Sequence, residues 1–115
     1  MSAHGGALEA VERVLESGGE ADDVLRQVVA ILHERLGGFV RISFVEETVL
    51  VPGPAAGDET ATTAFPIAFQ GNHVADLEAG GELRDEDRAL LERVVILISP
   101  HALVGWDTQG EVWNP

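Results

Sequence analysis

The sequence predicts a single α/β domain of the α+β kind, with helices at both ends and an antiparallel sheet between them. Apolar residues recur at helical spacing before residue 37 and alternate with polar residues between 39 and 79. They then form a nearly continuous stretch after an acidic triplet at 85–87. A chain of 115 residues has room for one hydrophobic core, so we expect one domain over 1–115.

Two helices are predicted before the first strand. Residues 7–17 carry apolar side chains at helical spacing, and Gly18 is a suitable stop. A longer helix is predicted from 21 to 36, where Asp22 and Asp23 lie near the positive end of the helix dipole. The first of these, within 1–18, is an additional N-terminal helix.

Strand-like alternation predicts two hairpins. The predicted strands are 39–45, 49–51, 65–69 and 74–79. Gly71 and Asn72 supply the turn of the second hairpin, and Pro66 favours an edge position or a strand start in that region. Residues 52–62 hold two prolines and two glycines, so we expect an exposed loop there.

A last helix is predicted to begin near Asp85, because Asp85, Glu86 and Asp87 favour a helix N-terminus. The stretch 94–98 leaves almost no polar face, so this helix needs cover on several sides. Pro100 removes a backbone donor. The helix therefore either kinks there or restarts with Ser99 as its cap.

The segment 105–115 holds both tryptophans of the chain, Trp106 and Trp113. Tryptophan offers a large apolar area and one hydrogen-bond donor. We expect an ordered tail that packs against the domain or forms a dimer contact. Recognition of a partner by this tail is the alternative.

The composition excludes several classes of function. Twenty acidic residues face seven scattered basic ones, a net charge of −13, which disfavours nucleic acid and anionic membranes as partners. The absence of cysteine excludes disulfides, thiolate metal sites and cysteine nucleophiles. No apolar run approaches the length of a membrane span, and we expect a cytoplasmic protein.

No metal, cofactor or catalytic motif is found. His33 and Glu34 begin like the His-Glu-x-x-His zinc pattern, but Gly37 stands where the second histidine is needed. Ser99 and His101 are hydrolase residue types without the sharp turn that exposes a catalytic serine. The sequence therefore predicts no metal site, no cofactor and no catalytic residue.

One face of the predicted sheet carries polar side chains. If Val40, Ile42 and Phe44 face the helices, alternation sends Arg41, Ser43, Asp76 and Glu78 to the other face. These four are the candidate ligand-binding residues. The alternative is that they form ion pairs on the solvated side of an antiparallel sheet.

The order of elements, with the segment from Phe69 to Leu91, resembles the GAF domain family over residues 21–104. Its most specific parts are the strand 74–78 and the acidic helix start Leu83-Arg84-Asp85-Glu86-Asp87. The resemblance implies an antiparallel sheet with the N- and C-terminal helices packed on one face and a ligand pocket on the other. It also implies dimerisation through those helices. The expected dimer contacts are Leu91, Val94, Val95, Ile98 and Trp106.

The sequence departs from the family where helices usually close over the ligand, since only the loop 52–62 stands there. GAF-type methionine sulfoxide reductases and bilin-binding GAF photoreceptors need cysteines, so neither activity carries over. We expect a homodimeric regulatory or sensory module that binds a small molecule or a protein and is not an enzyme. The alternatives are an assembly scaffold of roadblock or PAS type, and a small enzyme using Arg41, Asp76 and Glu78.

Overall fold

The computed structural model describes the backbone of residues 3–112 and the side chains of residues 6–102. The described elements are α1 (Ala3–Ser17), α2 (Ala21–Leu36), β1 (Val40–Glu46), β2 (Val49–Ala56), β3 (Thr62–Phe69), β4 (Asn72–Gly80) and α3 (Asp85–Val112). The bounds of α2 and the start of α3 agree with the sequence prediction. None of these helices combines the length and apolar character that crossing a bilayer requires.

The four strands form one antiparallel sheet in the order β2-β1-β4-β3. The central strands are therefore β1 and β4, and the prolines lie in the edge strands. Pro66 of β3 is at an edge, as predicted, where a missing backbone donor is tolerated. The turn between β3 and β4 uses positive φ at Gln70 and Gly71.

The helices at both ends of the chain lie on one face of the sheet, which confirms the predicted architecture. Helices α2 and α3 contact the sheet directly, and α1 packs on α2 and α3. Fully buried side chains such as Leu32, Ile42, Leu77 and Leu91 fill the space between helices and sheet. The opposite face of the sheet is left free of helices in the described part of the chain.

The predicted loop 52–62 is wrong in extent, because β2 continues to Ala56 and the connection to β3 is only 57–61. The pairing of β1 with β2 shifts register between Arg41 and Ser43, which leaves an extra residue in β2. Gly53 lies at this bulge, where a Cβ atom would come within 2.5 Å of Phe44 Cε2. An edge strand with a bulge accommodates prolines that sequence pattern alone assigns to a loop.

Helix α3 runs through Pro100 without a restart, so of the two predicted alternatives the restart with Ser99 as its cap is wrong. A residue at position 100 would normally donate its N–H to the carbonyl of Ile96, and proline has no N–H. Instead Ser99 Oγ donates to the Ile96 carbonyl at 3.1 Å. This bond gives the Ile96 carbonyl a donor in place of the missing N–H.

The expected dimer contacts on α3 are largely covered within one chain. Leu91, Val94 and Ile98 are fully buried against the other helices and the sheet, so they have no surface to offer a second copy. Within the apolar stretch 94–98, Val94 and Ile98 are covered by the rest of the chain, Val95 and Leu97 are partly exposed, and Ile96 is 66% exposed. The backbone of 105–112 continues α3, whereas the side chain of Trp106 and all of Trp113 lie outside the described part. The homodimer itself stays a prediction.

Candidate functional site

The four predicted binding residues meet on the sheet face opposite the helices. Arg41 pairs across the strands with Glu78, and Ser43 pairs with Asp76. Cross-strand partners share a face and lie about 5 Å apart. Ser43, Asp76 and Glu78 are each less than a tenth exposed, which is unusual for polar groups on an open sheet face.

Glu78 is held by two hydrogen bonds to one of its oxygens. Arg41 Nε and Ser43 Oγ each donate to Glu78 Oε1 at 2.7 Å. Burial raises the pKa of Glu78, but the hydrogen bonds from Arg41 and Ser43 and the positive charge of Arg41 outweigh it, so the pKa lies below its ordinary value. The hydrogen bond to Glu78 raises the pKa of Arg41 in turn. Glu78 is therefore a fixed anion rather than a proton carrier near neutral pH.

Arg41 has two further neighbours. Its guanidinium carbon lies 5.3 Å from the centre of the Phe39 ring, within the range of a cation–π contact. Its Nη1 donates to Glu59 Oε2 at 3.1 Å, from the connection between β2 and β3. Sequence reasoning missed Glu59, because nothing in the strand pattern indicates how far a connecting segment reaches.

His73 joins the site through a bulge in β4. Its Nε2 lies 2.6 Å from Asp76 Oδ1. Residues three apart in a regular strand point to opposite faces of the sheet. The pairing of β3 with β4 is irregular here, because Ile67 pairs with Ala75 whereas the next residue, Ala68, pairs with His73. Val74 is therefore an extra residue that forms a β-bulge. The bulge turns His73 to the same face as Asp76. The sequence shows no ligand spacing between His73 and the other histidines and predicts only a solvated or hydrogen-bonded side chain there, and regular alternation would place it on the opposite face.

We call Arg41, Ser43, His73, Asp76 and Glu78 the polar strip. It runs along the two central strands, and small exposed residues of the edge strands, including Ala55, Ala64 and Pro66, lie beside it. With Glu59 included, three carboxylates face one guanidinium. Carboxylates therefore outnumber the guanidinium, and this excess favours a cationic group on a ligand.

A cleft of about 480 Å³ lies at the end of the sheet, and its wall includes Phe39, whose ring contacts the Arg41 guanidinium. Its walls include His33, Phe39 and Thr60, and five glycines at positions 37, 38, 57, 80 and 81. His33 Nδ1 lies 2.7 Å from the Gly38 carbonyl, which fixes the imidazole at the wall of the cleft. No sequence motif marked this cleft, because its glycines come from three separate segments.

A metal site is not seen in the described part of the chain. No three histidine or carboxylate side chains converge there as ligands of an ion would. His33, whose zinc-like pattern was incomplete in the sequence, faces the carbonyl of Gly38 instead.

Comparison with known proteins identifies the fold. No family model matches the chain, and no curated protein matches it. A solved structure similar to it is that of fRMsr of Staphylococcus aureus in complex with substrate, with a TM-score of 0.74 and 14% identity. The match covers 86% of this chain and 95% of that chain. The fold is therefore GAF-like, as the resemblance implied.

The comparison corrects the predicted function. The protein fRMsr is a free methionine-R-sulfoxide reductase, an enzyme. The prediction of a regulatory or sensory module that is not an enzyme is contradicted by this neighbour, because the GAF-like fold of this chain is one that an enzyme uses.

Proposed function

We propose that this chain is a small enzyme that carries out acid–base chemistry on a molecule bearing a cationic group, at the polar strip. The observation that carries the proposal is the bond between His73 Nε2 and Asp76 Oδ1 at 2.6 Å. The Asp76 side chain is 10% exposed and that of His73 is 50% exposed. A buried carboxylate thus orients an imidazole that a substrate can reach, which is a common device for proton transfer.

Each side chain of this pair has a distinct role. Asp76 accepts a hydrogen bond from Nε2 and thereby leaves Nδ1 of His73 as the nitrogen that takes a proton, either from an acidic C–H group of the substrate or, in hydrolysis, from the attacking water. It also stabilises the imidazolium that forms when the proton is taken. The imidazolium then returns the proton to the leaving group or product.

The charge of the site selects the substrate. Glu78 remains ionised because Arg41 and Ser43 stabilise its charged form. Asp76 adds a second buried carboxylate one cross-strand pair away. An ammonium or guanidinium group on the substrate is therefore attracted to the strip, and an uncharged analogue of the same shape is bound less tightly.

The structural neighbour supports a small substrate. The name of fRMsr describes a reductase of a free amino-acid sulfoxide, and its structure was solved with substrate bound. This chain contains no cysteine, so the chemistry proposed here uses no thiol of its own. Proton transfer by an imidazole needs none.

The test uses amine-bearing small molecules with an ester bond, an amide bond or an acidic C–H group. Each is incubated with the protein in D₂O and examined by mass spectrometry for hydrolysis or deuterium uptake. We expect at least one to react and the rate to fall by about 10²-fold or more in His73→Gln. Asp76→Asn should lower it too, whereas Asp22→Asn, the same change on the exposed surface of α2, should not.

Binding is followed separately by NMR. Amine-bearing compounds at millimolar concentration should shift the amide signals of 41–45 and 73–78, and matched uncharged compounds should shift them less. If no amine-bearing compound moves these signals, or if His73→Gln retains full turnover, the proposed function is wrong.

A further inference from the structure

The two carboxylate partners of Arg41 differ sharply in burial. Glu78 accepts from Nε at 2.7 Å, and its side chain is 10% exposed. Glu59 accepts from Nη1 at 3.1 Å, and its side chain is 71% exposed. Exposed ion pairs contribute only about 0.2–1 kcal/mol. The bond to Glu78 is therefore a fixed part of the site, whereas the bond to Glu59 is readily exchanged.

The guanidinium of Arg41 is held in place before any ligand arrives. Glu78 fixes its Nε, the Phe39 ring lies beneath it, and its side chain is only one-fifth exposed. A guanidinium stays charged at all physiological pH values and presents a planar fork that suits a carboxylate. Because the group is already ordered, a second carboxylate that replaces Glu59 costs little further side-chain entropy.

The cleft at the end of the sheet borders the neighbours of Arg41, although Arg41 itself is not part of its wall. Phe39 and Thr60 line the cleft of about 480 Å³, and Thr60 follows Glu59 in the chain. The wall depends on glycines, since a Cβ at Gly57 would lie 2.8 Å from His33 Cε1, and one at Gly80 would collide with Thr60 Oγ1. A small molecule held by its carboxylate at Arg41 can therefore extend past Phe39 towards a wall in which glycines leave room.

We propose that Arg41 binds a carboxylate group of a small ligand, and that Glu59 occupies this place when the ligand is absent. A carboxylate is favoured over a phosphate dianion because Glu78, Asp58 and the net charge of −13 penalise each added negative charge. The inference deepens the proposed function, since it adds an anionic anchor to the same site, but its test does not depend on turnover.

The experiment titrates sodium acetate and, separately, inorganic phosphate at constant ionic strength, and follows the Arg41 Nε–Hε signal by NMR. Three proteins are compared: the wild-type protein and the variants Glu59→Ala and Asp58→Ala. Asp58 is exposed, adjacent in sequence and equal in charge, but it makes no ion pair among the described residues. Because it also lines the cleft, it is the matched control for losing one nearby negative charge without losing an ion pair to Arg41.

We expect acetate to bind roughly 1.5- to 5-fold more tightly to the Glu59→Ala variant than to the wild-type protein. This range corresponds to the free energy of one exposed ion pair, which acetate no longer has to displace. Asp58→Ala should change the affinity less, and phosphate should bind more weakly than acetate. Equal gains in the two variants, or no movement of the Arg41 signal, would overturn the proposal. If phosphate binds more tightly than acetate, the proposal that the ligand group is a carboxylate is wrong. If no amine-bearing compound is turned over but acetate still binds at Arg41 as expected, the proposed enzymatic function is rejected and the carboxylate-binding site is retained.

Discussion

Ser43 Oγ donates a hydrogen bond to Glu78 Oε1 at 2.7 Å across the central pair of strands. Ser43 is 2% exposed, so water does not replace this bond if the hydroxyl is removed. A hydrogen bond to a charged acceptor is among the stronger ones in a protein interior. The serine therefore stabilises the ionised carboxylate as well as the sheet.

Replacing this hydroxyl should destabilise the fold. Ser43→Ala is expected to lower the free energy of unfolding by about 1–3 kcal/mol, because Glu78 loses one of its two donors in a buried place. Urea denaturation at neutral pH measures the change. Ser17→Ala is a suitable control, since Ser17 is exposed, and it should change the value by less than about 0.5 kcal/mol. Equal losses in both variants would contradict the stabilising role of Ser43.

The lowered pKa of Glu78 makes stability depend on pH at the acid end. A carboxylate whose native pKa lies below its ordinary value of 4.5 stabilises the fold above that value and loses the contribution as pH falls through the native pKa. As the pH falls below about 4.5, the free energy of unfolding should therefore decrease more steeply for the wild-type protein than for the Glu78→Gln variant. Denaturation curves at a series of pH values test this, and parallel slopes for the two proteins would contradict it.

Much of the site was predictable because the strand period is unbroken where those residues lie. Arg41 and Ser43 are two apart in β1, and Asp76 and Glu78 are two apart in β4, so alternation alone places each pair on one face. The pairing of the two strands, implied by the antiparallel architecture, then brings both pairs together.

The other residues of the site, His73 and Glu59, reach it through irregular backbone that no local sequence pattern predicts. His73 reaches the site only because Val74 is an extra residue in β4, and valine carries no signal for a bulge. The prolines at 52 and 54 read as loop residues, although an edge strand accommodates them. Glu59 reaches Arg41 from a short connection whose direction depends on the fold as a whole.

His101 makes stability depend on pH in a different window. Burial lowers the pKa of His101 from its ordinary value of 6.5, and its Nδ1 is buried without a hydrogen-bond partner in the described structure. The unfolded chain then takes up a proton more readily, so stability is fully present above about 6.5 and falls as pH decreases below that value. His101→Leu should flatten the dependence between neutral pH and about pH 5. An unchanged slope in that variant would contradict this account.

Two glycines should respond oppositely to the same substitution. Gly53→Ala places a Cβ 2.6 Å from the Ile42 carbonyl oxygen and against the Phe44 ring, so we expect a loss of about 1–3 kcal/mol. Gly6→Ala meets open space within α1 and should raise stability by about 0.5–1 kcal/mol. Thermal and urea denaturation of both variants give the signs. A stable Gly53→Ala protein would show that the bulge in β2 relaxes at little cost.

The replacement bond at Pro100 predicts a coupling between two neighbouring residues of α3. Ser99→Ala removes the hydroxyl that donates to Ile96, and we expect a loss of about 0.5–1.5 kcal/mol, since proline supplies no N–H in its place. Pro100→Ala should stabilise the helix, because it restores the N–H donor to the same carbonyl. In the double variant the loss from Ser99→Ala should nearly vanish, because the backbone then occupies the acceptor. A double-mutant cycle measures this coupling, and equal losses in both backgrounds would show that the hydroxyl does not stand in for the missing N–H.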